Sequence, residues 1–184
     1  ILSNALLLAT LMGFTAAMED PGKRFARVEI RPAARWSLAI ALVAFSLVSG
    51  WHVARAAMAQ RFVVAGKQAK MALEYKKAVL AYERAISLDP RNPEPYFELA
   101  NIYLDASVWL RDPMHAAERK QYIDGAIEDY QEGLALQPMD SMALLRLAKA
   151  YEAAQDKEQA LKTYLQALEI DPNCAEVNLR LGKF

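Results

Sequence analysis

The chain has 184 residues, 54% of them apolar, and its 22 Lys/Arg balance its 22 Asp/Glu, yet residues 1–77 carry 11 basic and 4 acidic side chains while residues 78–184 carry 11 and 18. A half of net charge +7 therefore precedes a half of −7, and the neutral total averages two unlike parts. Seven Gly and eight Pro are too few for a fibrous or disordered chain, and a lone Cys excludes a disulfide framework or a thiolate metal site, which leaves a partly membrane-embedded, mostly helical protein.

The first predicted element is Ile1 to Met18, which is uncharged over 18 residues. As a helix it would be about 27 Å long, close to the roughly 30 Å hydrocarbon core of a bilayer. It reads as a transmembrane helix rather than a signal peptide, because no basic start precedes it and Glu19-Asp20 comes directly after it. A start at Ile1, without Met, reads as a fragment with upstream chain missing. Residues 19–35 form a basic connection with Pro21-Gly22 as a turn and Lys23, Arg24, Arg27, Arg31 and Arg35. Residues 36–58 form a second predicted transmembrane helix, whose uncharged run from Trp36 to Ala54 carries Trp36 and Trp51 near its ends, where interfacial anchors sit. Arg55 and Arg61 come next, at the expected headgroup level. Short basic loops stay in the cytoplasm, so the loop is expected inside and the rest of the chain outside, as in a bacterial inner-membrane protein with a periplasmic domain. No turn signal interrupts the stretch from Gly50 to Glu74, which predicts one helix, or nearly one, running from the span into the segment beyond Gln60.

In that segment a pattern recurs. Ala78, Tyr82, Ala85 and Pro90 stand at the same offsets as Ala126, Tyr130, Gly133 and Pro138, and as Ala160, Tyr164, Ala167 and Pro172. Upstream of each set lies a second helical pattern: Phe62, Ala65, Gly66 and Ala69; Tyr96, Leu99, Ala100 and Tyr103; Leu144, Leu147, Ala148 and Tyr151. Small residues three or four apart share a helix face and let paired helices approach to about 8–10 Å, with the tyrosines filling the gaps beside them. Each pair leaves an apolar face that the next pair covers. The prolines stop the second helix of each pair, and Asn92-Pro93, Asp140, and Asn173 with Glu176 supply helix-start chemistry.

This spacing resembles the tetratricopeptide repeat, a 34-residue helix-turn-helix unit. The resemblance implies an all-α solenoid with units at 59–92, 93–140 and 141–174 and the start of a fourth at 175–184. The second unit is 14 residues longer than the standard, with the excess between its helices around Trp109, Leu110, Arg111, Asp112, Pro113 and Met114. That excess reads either as an extra contact, with Trp109, Leu110 and Met114 wedged against membrane or a neighbouring subunit, or as two longer helices joined at Arg111-Asp112-Pro113. The resemblance also implies a concave surface lined by the first helix of each unit, presenting Glu94, Phe97, Glu98, Asn101 and Asp105, then Met142, Leu145, Arg146, Lys149 and Glu152. Asn101 would stand where some family members hold a peptide backbone. Phe97 and Leu145 would stand where others use lysines to clamp a terminal carboxylate, so no such clamp is expected.

No catalytic constellation emerges. His52 and His115 lie far apart, Cys174 stands alone past a helix end, and no phosphate loop or nucleophile elbow occurs. No cofactor or metal is expected, and an acidic array argues against nucleic acid. Two functions fit. A membrane-anchored scaffold would bind a protein partner or the subunits of a membrane complex, with lipid around its spans. Alternatively, the order of span, basic loop, span and repeats resembles the C-terminal part of bacterial O-antigen ligase and polymerase-type proteins. That resemblance implies a glycan transferase whose active site lies outside these residues.

Overall fold

The computed structural model describes residues 32–110 and 112–182, with side chains from residue 40 onward. Its described elements are α1 (Pro32–Met71), α2 (Tyr75–Leu88), α3 (Glu94–Trp109), a 3-10 turn (Pro113–His115), α4 (Ala116–Leu136), α5 (Ser141–Ala153), α6 (Lys157–Ile170) and α7 (Ala175–Leu181). Among the described residues there is no strand. The described residues fall into two compact units that divide after Leu47. The predicted first span and the basic connection up to Arg31 lie outside the described residues.

Helix α1 is a single element of 40 residues, opening at Pro32, whose fixed φ suits a first helical turn. Pro32–Arg35, read from sequence as the end of the basic loop, is therefore helical. Farther along, Ile40, Leu42, Val43, Phe45, Leu47, Val48, Trp51 and Val53 are all exposed, on every side of the helix rather than on one stripe. A helix that is apolar all round has nothing to gain from water. Only from Ala59 does α1 acquire a buried face, formed by Ala59, Val63 and Gly66. Ala65, assigned to that face on the repeat pattern, is instead exposed: its equivalents Leu99 and Leu147 are buried, but among the described residues no helix pair precedes α1 to cover it.

From Ala59 the helices pack as successive antiparallel pairs, α1 with α2, α3 with α4 and α5 with α6, and α7 packs against α6. Ala78, Tyr82, Ala126, Tyr130, Ala160 and Tyr164 have no exposed surface, so the recurring alanine and tyrosine form the seams within pairs, as their spacing predicts. Phe97 lies against Gly133, leaving no room for a methyl group there. Helices α2, α4 and α6 each end two residues before Pro90, Pro138 and Pro172.

The turns inside the first and third pairs share one hydrogen-bond pattern. Leu73 N–H donates to Lys70 O at 3.0 Å and Glu74 N–H to Ala69 O at 2.9 Å; Gln155 N–H donates to Glu152 O and Asp156 N–H to Tyr151 O, both at 3.0 Å. This is a Schellman closure, which asks for a left-handed residue, and Leu73 (φ 61°) and Gln155 (φ 65°) supply it without being Gly. Helix starts follow the sequence in two of three places. Asp140 accepts from Ala143 N–H at 2.9 Å, and Asn92 accepts from Glu94 N–H at 3.1 Å. Asn173 makes no such cap: Cys174 precedes α7, and the Asn173 N–H is itself engaged by Asp171 Oδ1.

The enlarged second unit consists of longer helices rather than a separate lobe. Helix α4 has 21 residues against 14 for α2 and α6, and α3 has 16 against 13 for α5. The helices join through the 3-10 turn, where Asp112 accepts from Met114 N–H at 2.9 Å.

Candidate functional site: the inner face of the array

The inner face is built from the first helix of each pair, α1, α3, α5 and α7. Lys67, Asn101 and Lys149 are equivalent positions, as are Lys70, Leu104 and Glu152, because Gly66, Ala100 and Ala148 align in the repeat. One helix later, Glu94, Met142 and Glu176 are equivalent, and so are Glu98, Arg146 and Arg180.

These positions pair across neighbouring helices. Between α1 and α3, Lys67 pairs with Glu94, and Lys70 Nζ lies 2.8 Å from Glu98 Oε2. Between α5 and α7, Lys149 Nζ lies 2.5 Å from Glu176 Oε1 and Arg180 Nη1 lies 2.6 Å from Glu152 Oε2. The hydrogen bond to Glu94 raises the Lys67 ammonium pKa above its ordinary value, and the one from Lys149 lowers that of the Glu176 carboxyl. Each pair is partly solvated and contributes at most about 1 kcal/mol to stability. Their main effect is to neutralise the face at both ends.

The centre differs. At the α3–α5 junction the equivalents of a Lys–Glu rung are Asn101 and Met142, so no ion pair forms between them. Asn101 Oδ1 instead accepts from Tyr130 OH at 2.6 Å and from Arg146 Nη1 at 2.7 Å. Arg146 is exposed, and among the described residues it has no carboxylate partner within 4.0 Å. Met142 is 54% exposed beside it. Burial is the main influence raising the Tyr130 phenol pKa, and the Arg146 charge opposes it. The result is a self-paired inner face with a central gap formed by a neutral amide, a cation held by that amide, and an exposed thioether.

The other residues expected on this face fare unequally. Asp105 is exposed, and Phe97 is half-buried against Gly133. Leu145 is 1% exposed and belongs to the core; α5 is flanked on both sides by neighbours, so Leu144, Leu145 and Leu147 are all enclosed. Trp51 and Arg61 are exposed, and the Arg55 guanidinium reaches Ser87 O at 3.4 Å. Trp36 falls within α1. Trp109 and Met114 are 88% and 85% exposed, while Leu110 is half-buried. The ladder itself was missed at the sequence level, although its rungs recur at separations of 27 and 28 residues in both outer junctions.

Residues 74–106 match a family model described as TPR repeat, and residues 141–184 match one described as tetratricopeptide repeat. Small glutamine-rich tetratricopeptide repeat-containing protein 2 of Mycosarcoma maydis is 26% identical over 117 residues, covering 64% of this chain and 29% of that protein. The match thus spans less than a third of that relative's length. Among solved structures, the first TPR of Spaghetti (RPAP3) bound to HSP90 peptide SRMEEVD is 25% identical with a TM-score of 0.56, over 70% of this chain and 93% of that one. The first TPR domain of human RPAP3 is 26% identical with a TM-score of 0.55, over 68% and 88%.

Proposed function

Taking the segment from Gln60 onward as an array of tetratricopeptide repeats, we propose that the chain is a membrane-anchored scaffold that binds a polypeptide at the gap formed by Asn101, Met142 and Arg146. The gap carries this reading. In the two outer junctions the Lys, Arg and Glu side chains pair with one another, whereas here Arg146 can give its remaining N–H donors to a partner's carbonyl or carboxylate while Met142 adapts to an apolar side chain. The solved repeat domain of Spaghetti holds an acidic peptide, SRMEEVD, a precedent for short segments bound by this type of array.

The anchor reading draws on α1. Its stretch Ile40–Met71 contains an 18-residue window of mean hydropathy 1.4 with no buried residue, so by length and composition it can cross a membrane. Exposing eight large apolar side chains between Ile40 and Val53 to water would be costly, and a bilayer removes that cost. The basic connection before it favours the array on the opposite side of the bilayer from the loop. The relatives and structures named above are repeat proteins and lend nothing to the glycan-transferase layout.

The test is co-purification from native membranes. The wild-type chain should stay in the pellet after carbonate washing and retain a polypeptide; Met142→Asp combined with Arg146→Glu should lower recovery of that polypeptide at least tenfold. Release of the chain into the wash contradicts the anchor. Equal recovery with both chains contradicts the site.

A further inference from the structure

The enlarged second unit does more than lengthen two helices. In the repeat alignment, residues 116–122 of α4 precede the start of an ordinary second helix, and residues 106–109 of α3 extend past the end of an ordinary first one. Those extra turns wall a groove floored by α3 and flanked by α2 and α4. It consists of two adjoining clefts of about 700 and 570 Å³, which share Tyr103, Glu118 and Tyr122.

The two ends differ in chemistry. One end is mainly apolar, lined by Tyr75, Val79 and Leu80 of α2 and by Ile102, Trp109 and Leu110, with Lys76 and Asp105 also bordering it. Leu80 is 54% exposed and Trp109 88%, so this end presents its surface to solvent. The other end carries Glu83, Glu128 and Asp129, with no Lys or Arg among its lining residues. Among the described residues none of these three carboxylates has an ion pair or hydrogen bond. Burial, and then the charges of Glu128, Glu83 and Glu132, raise the Asp129 carboxyl to about 7. An uncompensated acidic end next to an exposed apolar end is complementary to a helix that is apolar along one face and cationic toward one terminus. From Glu118 to Asp129 the groove follows about 16 Å of α4, or three turns of a docked helix.

We propose that this groove, made by the extra turns of α3 and α4, is a second docking site that takes an amphipathic helix of a partner protein. The apolar face of that helix lies over Leu80 and Trp109 and its lysines or arginines lie over Glu128 and Asp129. The site shares none of its lining residues with the gap of Asn101, Met142 and Arg146.

The experiment uses the full chain in detergent micelles with Trp36→Phe and Trp51→Phe, so that Trp109 alone fluoresces. It is titrated with a synthetic 14-residue helical peptide bearing a leucine face and three lysines at one end, and with the same peptide carrying glutamates instead. Saturable Trp109 quenching by the lysine peptide, at least tenfold tighter than by the glutamate peptide, is expected. Glu128→Gln with Asp129→Asn should abolish that preference, and Arg146→Glu should leave it intact. Equal affinity for both peptides, or a lysine preference that survives the double amide variant, overturns the proposal. A Trp109 response to lipid vesicles or to chain concentration, with none to the lysine peptide, overturns it too and assigns the face to membrane or to a second copy.

Discussion

The ring of Tyr82 lies against the backbone of Gly66, so near that a Cβ built on Gly66 would stand 2.6 Å from Tyr82 Cε1. Both residues are buried in the seam between α1 and α2, where Tyr82 shares a fully buried cluster with Val63 and Ala78 and has little room to tilt away. Gly66→Ala should therefore destabilise the array by about 1–3 kcal/mol, despite the helix propensity gained. Denaturant unfolding followed by circular dichroism checks this; an unchanged midpoint would show that the seam is slack.

The three seam tyrosines are equivalent in burial but not in hydrogen bonding. Among the described residues Tyr82 OH is buried without a hydrogen-bond partner, whereas Tyr130 OH donates to Asn101 at 2.6 Å. Removing an unsatisfied hydroxyl relieves a desolvation cost, and removing a satisfied one leaves its partner short. Tyr82→Phe should be neutral or slightly stabilising, while Tyr130→Phe should cost about 1 kcal/mol. Thermal unfolding of the two variants should place them on opposite sides of the wild type, or at least in that order.

Leu73 carries a left-handed backbone that a β-carbon opposes, and its side chain is 72% exposed, so little packing is lost by removing it. Leu73→Gly is expected to raise stability by up to about 1 kcal/mol. Glu74, which starts α2 without a side-chain cap, stands where Asp156 caps α6 by accepting from Gln159 N–H at 3.1 Å. Glu74→Asp should add a similar bond worth about 0.5–1 kcal/mol, partly offset by the Lys77 ion pair it disturbs. Melting temperatures of the single and double variants report both effects.

Asp129 should make stability fall as pH rises. Its carboxyl moves up from 3.8 to about 7 in the folded chain, with burial the leading cause, so the folded state holds a proton that the unfolded state has already released. Its contribution is most favourable below about pH 4 and declines through about pH 7, the reverse of a salt-bridged aspartate. Asp129→Asn should thus be more stable than the wild type at pH 8, by about 1 kcal/mol after allowing for solvent screening, and the gain should shrink at pH 5. Unfolding curves at the two pH values decide it; a gain that does not change with pH would contradict this origin.

The seams were legible because they rest on local rules: a small residue, a tyrosine four positions on, and a proline past the helix end keep their offsets in all three units. The turn at Leu73 was not, since nothing in a leucine announces a left-handed backbone; Lys70 and Ala69 impose it by accepting the closing hydrogen bonds. Leu145 was placed on the inner face by its position in the repeat, whereas the neighbours on both sides of α5 enclose it. Ala65 keeps the repeat's phase but not its surroundings: its equivalents Leu99 and Leu147 are buried, whereas among the described residues no helix pair precedes α1 to cover it. The Lys67–Glu94 and Glu152–Arg180 rungs escaped notice because they join helices in different units, beyond the i to i+4 reach of charge pairing along one helix.

Site-specific photocrosslinking in native membranes tests the central claim most directly. A photoreactive residue at Met142, in the gap on α5, should yield a polypeptide adduct that disappears when Arg146→Glu is added, whereas the same group at Leu165, exposed on α6, should yield none. If Met142 captures no polypeptide, or if its adduct is indifferent to Arg146→Glu, the inner-face gap is not where this array meets its partner.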